Sequence, residues 1–431
     1  MKVGHLIRTE RVRQKMKQIV LAKGICTPSY LSKIERNLIS PSEQIVTLLF
    51  NKLEIDVNTL QVNDHKTDVE YESILNSSYK EVITKRDESF TIQRLAELDK
   101  QNYIFENDSL HYTYLLITLR FRLILGRDLD ERKKEIDTLT KLSEHFTASH
   151  IYLFNVNKAI YYYSTKNRRK AIEYLEDVLS MVDTITLEDW EKAELNYMIG
   201  LMYTADNRIF VSIEYIKRAL EFFREHFQMS RVLDCYVLIG VTQKRSEQFQ
   251  DAFESYSTAK QLCEQFNLHS EKGLVYHNLG TLYGIMGNKE KSIDYLQKSI
   301  MHKTDKQSQL ISILCIIMEY SKMNNKKQVN NWCDKGILLL SQLDDESLTS
   351  YFHHFNIYKS LHSEQGLCEN IAKQSIEHFK LLQDYQHVHK YCIALAEWYY
   401  ENRKYKLSST FYKESIKYGY IYKKLEKWED L

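Results

Sequence analysis

A 40-residue periodicity constrains the fold of this chain more than any other feature. Gly200, Gly240 and Gly280 lie at equal 40-residue steps, in the segments YMIGLMY, VLIGVTQ and HNLGTLY. Twelve residues after each glycine comes a small residue: Ser212, Ala252 and Ser292. A large residue follows four positions later, and another small one three beyond it. Small residues let two helices approach closely, so the pattern predicts stacked antiparallel helix pairs.

Composition agrees with a helical chain. Only 2 Pro and 12 Gly occur among 431 residues, so few helix breakers are present. Weaker copies of the pattern extend it across roughly residues 105–420, and the units resemble tetratricopeptide repeats lengthened from 34 to about 40 residues. We therefore expect an all-α protein in which seven to nine hairpins form a right-handed superhelix. Its concave groove is expected to hold an extended peptide or a helix.

The charge of the chain is distributed unevenly. Residues 1–40 contain nine Lys and Arg against two acidic residues, which is about +7, whereas the whole chain has a net charge of +1. The remainder is therefore near −6. A basic segment at the N-terminus only indicates a polyanionic partner for that segment.

Within the basic segment, the stretch TPSYLSKIERN has the features of a recognition helix. Thr27 is placed to cap the helix, and Pro28 stands at its first position, where a missing N–H costs nothing. Leu31 and Ile34 are predicted to face inward. A short helix precedes this one and closes at Gly24, so the two helices predict a helix-turn-helix with a polar edge directed outward.

Several short motifs in residues 2–62 resemble the Xre/Cro-type helix-turn-helix of phage and bacterial repressors. They are GHLIRTER from Gly4, QIVLA from Gln18, YLSKIE from Tyr30 and the pair Pro41-Ser42, with a turn about one residue shorter than usual, as in the PlcR branch. The resemblance implies binding to double-stranded DNA, with Glu35 as an internal salt-bridge partner. The expected DNA-binding residues are Arg8, Arg11, Gln18, Thr27, Ser29, Tyr30, Ser32, Lys33 and Arg36.

A helix-turn-helix followed by such repeats resembles the peptide-pheromone receptors of Gram-positive bacteria, the RNPP group (Rap, Rgg, NprR, PlcR and PrgX), and NprR in particular. The resemblance implies a quorum-sensing transcription regulator of sporulation or virulence genes, controlled by a short signalling peptide. It also implies a homodimer or a peptide-dependent higher oligomer. The expected domains are 1–62 for DNA binding, 63–69 as a linker, and 70–431 for peptide binding and dimerisation.

In this group, asparagines in the groove hold the peptide backbone, because one carboxamide both donates and accepts. Asn157 and Asn278 each lie two residues before a small residue of the repeat, and Lys244 and Arg245 are candidates for a peptide carboxylate. Glu194 and Asp234 are candidates for a peptide amine. The full set of expected peptide-binding residues is Asn157, Tyr197, Lys244, Arg245, His277, Asn278 and Thr281.

Other functions have weaker support in the sequence. The histidines do not form a zinc-protease spacing, no phosphate-binding glycine loop or nucleophile elbow is found, and the seven cysteines never form CxxC pairs. We therefore expect a cytoplasmic protein with no cofactor, no metal, no membrane segment and no enzymatic activity. One alternative stays open, a Rap-like protein that sequesters or dephosphorylates a response regulator, with Gln93 as the residue that could act there.

Overall fold

The computed structural model describes residues 3–55, 67–100, 105, 107–126, 128–343 and 348–423. Every regular element in these ranges is a helix, which confirms the all-α prediction. The α-helices are α1 Gly4–Arg13, α2 Gln18–Ala22, α3 Pro28–Glu35, α4 Glu43–Lys52, α5 Asp68–Lys85, α6 Glu88–Lys100, α7 Asp108–Leu125, α8 Leu129–Leu142, α9 Ala148–Ser164, α10 Arg168–Met181, α11 Asp189–Ala205, α12 Ile209–Glu225, α13 Met229–Arg245, α14 Phe249–Gln265, α15 Lys272–Ile285, α16 Lys289–His302, α17 Lys306–Lys322, α18 Lys326–Leu340, α19 Thr349–Leu361, α20 Glu369–Leu381, α21 Tyr385–Glu401 and α22 Tyr405–Lys423.

Helices α1–α4 enclose a small core of their own. Ile7, Leu21, Leu31 and Ile34 are all fully buried there. Gly24 has a positive φ of 81° just after α2, as expected of the residue that closes this helix. Residues 3–55 therefore have the helix-turn-helix architecture that the sequence predicted.

Part of the predicted linker lies outside the described residues, namely positions 63–66. Its last three residues belong to the start of α5, because Thr67 Oγ1 accepts a hydrogen bond from the Glu70 backbone N–H and the Glu70 side chain accepts one from the Thr67 backbone. Such a capping box satisfies two of the N–H groups that a helix start leaves free. The domain boundaries themselves stay predictions.

The repeat glycines lie where paired helices are in close contact. A Cβ on Gly200 of α11 would stand 2.3 Å from Ile216 Cγ1 of α12, and one on Gly280 of α15 would stand 2.7 Å from Leu296 Cγ of α16. Ser212 Oγ donates to the Gly200 carbonyl at 2.8 Å. These contacts account for the small residues at 40-residue steps.

The chain divides into two compact units, residues 1–246 and residues 247–431. The first unit holds α1–α13, so the helix-turn-helix bundle belongs to the same unit as the first repeats. The second holds α14–α22. Within the described ranges, no helix combines the length and the apolar character that crossing a membrane requires.

Candidate functional site

The polar edge of α3 is open to solvent. Thr27 Oγ1 accepts a hydrogen bond from the Tyr30 backbone N–H at 3.1 Å, which caps the helix as predicted. Thr27, Ser29 and Lys33 are exposed, whereas Tyr30 and Ser32 are half-buried. Arg36 lies just beyond the helix and is also exposed. The edge that is expected to contact DNA is thus available, and that contact stays a prediction.

Glu35 ties the first three helices together. Its two carboxylate oxygens accept from Arg11 Nε at 2.6 Å and Arg11 Nη2 at 2.8 Å, and a third hydrogen bond comes from Gln18 Nε2 at 2.7 Å. Glu35 is 2% exposed, so the pair is shielded from water. Arg11 and Gln18 therefore have partners inside the bundle, and their contact with phosphate stays a prediction.

Arg8 points away from the polar edge of α3. Its Nη1 donates to the Tyr112 hydroxyl of α7 at 2.9 Å, its Nη2 donates to the Glu35 carbonyl, and the residue is 5% exposed. The sequence placed Arg8 among the phosphate contacts because it lies off the apolar face of α1. The structure instead places it where the bundle meets the first repeat helices.

Asp108, in the first turn of α7, is the centre of this contact. It accepts a hydrogen bond from Asn37 Nδ2 at 2.5 Å, and its oxygens lie 3.5 Å from His5 Nδ1 and 3.9 Å from Arg8 Nη1. Burial opposes ionisation of Asp108, but His5, Arg8 and Asn37 together hold the pKa of its carboxyl below the usual value. The bundle is therefore held against α7 by one carboxylate, with a hydrogen bond from Asn37 and with His5 and Arg8 at ion-pair distance.

Two histidines extend the same contact. The rings of His5 and His111 are 4.6 Å apart, and His111 Nε2 lies 3.1 Å from Thr9 Oγ1. Burial, with the nearby His5, lowers the pKa of His111 well below its ordinary value, so its ring is neutral at neutral pH. The bundle is thus attached through a polar surface, which is easier to separate in water than an apolar one.

We predict that Asp108→Asn loosens the attachment of the bundle, because Asn37, His5 and Arg8 lose the charged partner that they share. Hydrogen–deuterium exchange of residues 3–55 should become about 5- to 30-fold faster, as expected for a loss of roughly 1–2 kcal/mol. The matched control is Asp130→Asn, which removes an exposed first-turn carboxylate of α8. Exchange in Asp108→Asn that equals exchange in the control would contradict this assignment.

Asn157 of α9 is a buried link between two helices. It is 0% exposed, and its Nδ2 donates to the Leu116 carbonyl of α7 at 2.9 Å. Its Oδ1 is buried and has no hydrogen-bond partner in the described part of the chain. An unsatisfied buried acceptor costs folding free energy, so a hydrogen bond from a further donor to this oxygen would be stabilising.

A network of buried charges surrounds Tyr197. Arg120 Nη2 lies 2.8 Å from Glu194 Oε1, and Arg231 donates to both Glu194 and Asp234, the latter at 3.1 Å. Arg86 Nε lies 3.9 Å from Asp234. The Arg231 guanidinium is 4.4 Å from the centre of the Tyr197 ring, within cation–π range.

This network carries a net charge of +1, since three guanidiniums face two carboxylates. Burial opposes the charge of Glu194, but Arg231, Arg86 and Arg120 hold its pKa below the usual value. The Nε–H groups of the three arginines are buried and have no hydrogen-bond partner among the described residues. Sequence reasoning named Tyr197, Glu194 and Asp234 for peptide binding but did not predict that arginines pair with these carboxylates. The members of the network come from α7, α11, α13 and the residue after α5, which lie far apart in the sequence.

We predict that Glu194→Gln destabilises the protein by about 3–5 kcal/mol, because two buried guanidiniums lose their shared carboxylate. Urea unfolding at neutral pH measures this loss. Glu214→Gln, which removes an exposed carboxylate on α12, is the matched control and should change the stability little. A Glu194→Gln midpoint equal to that of the control would refute the structural importance of the network.

The other expected peptide-binding residues of the first unit, Lys244 and Arg245, lie at the end of α13. Arg245 is exposed, and its Nη1 donates to the Thr204 carbonyl near the end of α11 at 2.6 Å. Lys244 is half-buried. The Arg245 guanidinium thus satisfies one of the carbonyl groups that a helix end leaves free.

Three of the expected peptide-binding residues belong to the second unit. Asn278 is 6% exposed, and its Nδ2 donates to the Leu274 carbonyl one turn earlier in α15 at 3.0 Å. The neighbouring His277 is half-buried, with its Nδ1 3.0 Å from Ser312 Oγ of α17. Thr281 Oγ1 donates to the Asn278 carbonyl at 2.9 Å. His277 therefore joins α15 to α17, whereas Asn278 and Thr281 bond within their own helix.

Metal binding finds no support in the geometry. In the described ranges, no group of three or more His, Cys, Asp or Glu side chains is arranged to hold a metal ion.

Comparison with known families and proteins identifies both parts of the chain. A helix-turn-helix family model matches residues 7–60, and a tetratricopeptide repeat model matches residues 274–301. The chain is 29% identical to the transcriptional activator NprA of Geobacillus stearothermophilus over 409 residues, which is 92% of this chain and 98% of that protein.

The chain is also similar to a second bacterial protein and to a solved structure. The response regulator aspartate phosphatase I of Bacillus subtilis (strain 168) is 19% identical over 375 residues, 85% of this chain and 91% of that protein. The crystal structure of NprR in complex with its cognate peptide NprX is similar with a TM-score of 0.58 at 17% identity, over 80% of this chain and 98% of that one. At this identity the structural likeness supports the all-α, tetratricopeptide-like fold.

Proposed function

We propose that this chain is a member of the RNPP group of helix-turn-helix and tetratricopeptide-repeat regulators, and that it is a transcription regulator whose DNA binding is controlled by a short signalling peptide. The observation that carries the proposal is the exposed polar edge of α3, formed by Thr27, Ser29 and Lys33. This edge remains open although the opposite side of the bundle is fixed to α7 through Asp108. Similarity to a transcriptional activator supports the same reading.

The peptide part of the proposal rests on the inner residues of the repeats. Asn157 offers an unsatisfied buried acceptor, and the charge network around Tyr197 offers unsatisfied N–H donors. A peptide backbone supplies both N–H and C=O groups, so it is chemically matched to these buried atoms, which a ligand reaches only when the repeat helices part. The structure of NprR with its cognate peptide supports a peptide as the ligand class.

A physical route from ligand to DNA exists within the first unit. Asn157 donates to the Leu116 carbonyl of α7, and two turns earlier Asp108 of the same helix holds the bundle. A ligand that draws Asn157 toward itself alters the contact with α7. We infer that the peptide acts by shifting the position of α7, and with it the orientation of the bundle, between two states.

Two bundles are required to read an operator of two half-sites, so the proposed active form is a homodimer or a peptide-dependent higher oligomer. Under this proposal the repeats join the protomers and set the spacing between the two recognition helices.

The DNA-binding part is tested with the double variant Ser29→Ala/Lys33→Ala. It should weaken binding to the promoter region of the protein's own gene by at least tenfold, as the loss of one base contact and one phosphate contact costs about 1–3 kcal/mol. Fluorescence anisotropy at fixed salt measures the affinity. The control is Lys217→Ala, an exposed lysine of α12. Equal affinity of the double variant and the control would exclude α3 as the reading helix.

A second candidate function is the binding or dephosphorylation of a response regulator. Similarity to an aspartate phosphatase of response regulators favours it, and the structure leaves Gln93 exposed on α6, with its Nε2 donating to Glu97 at 2.8 Å. The measurement is the lifetime of a phosphorylated receiver domain with the full-length protein. If Gln93→Ala and the wild type leave that lifetime equally unchanged, this function is rejected.

A further inference from the structure

Helix α3 is anchored to α7 at its C-terminal end. Arg8 of α1 bridges the two helices, because its Nη2 donates to the carbonyl of Glu35, the last residue of α3, and its Nη1 donates to the Tyr112 hydroxyl of α7 at 2.9 Å. Arg8 is buried, and hydrogen bonds from a shielded guanidinium are strong. One buried side chain therefore connects α3 to a helix outside the bundle.

Asn37, two residues after α3, supplies a second link. Its Nδ2 donates to Asp108 of α7 at 2.5 Å, and its Oδ1 accepts from the Gly4 backbone N–H of α1 at 2.9 Å. A Cβ on Gly4 would stand 2.0 Å from the Ile34 carbonyl oxygen, so the start of α1 lies directly against the end of α3. Asn37 thus joins the end of α3 to both α1 and α7.

The bundle does not depend on these two links for its own fold. Its apolar core is enclosed by α1–α4, and the Glu35 carboxylate already ties α1 and α2 to α3 through Arg11 and Gln18. What the links to Tyr112 and Asp108 add is a fixed direction of α3 relative to α7.

The direction of α3 matters most at its N-terminal end, where Thr27 and Ser29 are exposed. A recognition helix contacts base edges through its N-terminal residues. Since α3 has eight residues, it is about 12 Å long, and a rotation of about 10° at the anchored end would move Thr27 by about 2 Å. A hydrogen bond to a base does not survive such a displacement. The anchored end therefore controls where the reading end lies.

We propose that Arg8 and Asn37 are positioning residues that fix the orientation of α3 relative to the repeats, and that they thereby determine which spacing between two DNA half-sites the protein accepts. This inference rests on the proposed function, since it takes α3 as the reading helix and a homodimer as the DNA-binding form. Two recognition helices that are held rigidly fit half-sites at one spacing, whereas loosely held helices accept several. Rigid attachment also raises the affinity for the matching pair of half-sites, because the second helix is presented in place.

The test compares the full-length protein with the double variant Asn37→Gly/Tyr112→Phe. The two substitutions remove the Asn37 amide and the α7 end of the Arg8 bridge, and they leave the charge of the chain unchanged. Glycine accepts the positive φ of 53° at position 37. The matched control is Asn207→Gly/Tyr405→Phe, which replaces an exposed asparagine of positive φ and an exposed tyrosine outside the bundle. Circular dichroism and thermal melting check that the variants are folded.

The DNA probes come from the promoter region of the protein's own gene. Hydroxyl-radical footprinting locates the half-sites, and synthetic duplexes then carry either one half-site or both. The spacing of the two is native or is lengthened one base pair at a time over about half a helical turn. Fluorescence anisotropy at fixed salt measures the affinity. No peptide is added, because the polar edge of α3 is open without one.

The wild type and the control should bind the native spacing at least about tenfold more tightly than the lengthened ones. The double variant should bind all spacings within about threefold of one another, because its recognition helices are no longer held in one direction. All three proteins should bind the single half-site equally, since the bundle itself is intact. A role of the two links in folding alone would weaken single-site binding as well, so this probe separates positioning from folding.

A double variant that keeps the spacing preference of the wild type overturns the positioning role and leaves the proposed function intact. Weaker binding of the double variant to the single half-site overturns it too, because the links then shape the reading surface itself. A wild type that binds the single half-site without any preference among spacings has the same consequence. A wild type that binds none of the duplexes overturns the DNA-binding part of the proposed function, and this inference with it.

Discussion

The close contact of paired helices is the constraint on which the rest of the structure depends. At Gly200 a single added methyl group would overlap Ile216, and at Gly280 it would overlap Leu296. Contacts this short fix which face of each helix turns toward its partner, and so fix the other faces as well. The positions two residues before the small residue are buried as a result, as Asn157 and Asn278 show. The side-chain amide nitrogens at these two positions donate to the protein backbone, and under the proposed function the unpaired Asn157 oxygen is left for a ligand.

Under the proposed function, helix α7 combines the contacts that matter for control of DNA binding. Asp108 holds the bundle, the Leu116 carbonyl accepts from Asn157, and Arg120 pairs with Glu194. At about 1.5 Å per residue, these points lie within about 18 Å along one helix. Under the proposed function, a displacement of α7 at one of these contacts would change the other two, and this helix alone would connect the ligand to the bundle.

The parts of the structure that depend on nearby residues could be predicted from the sequence. The Thr27 cap, the Gly24 turn and the hairpins at Gly200 and Gly280 all follow from residues within about 20 positions of one another. The partners of Arg8 could not be predicted in this way. Tyr112 is 104 positions away, and a basic residue off the apolar face of a helix is the same pattern whether it faces DNA or a second domain.

The charge network also depends on residues that are far apart in the sequence, and it changes the expectation for the ligand. Glu194 and Asp234 were expected to attract a peptide amine, but the structure neutralises both with arginines from distant helices. What remains available in the first unit is a surplus positive charge and unsatisfied N–H donors.

Under the proposed function, the first unit therefore selects hydrogen-bond acceptors. A peptide is recognised there through its carbonyl and carboxylate oxygens more than through basic side chains, which the surplus positive charge would repel.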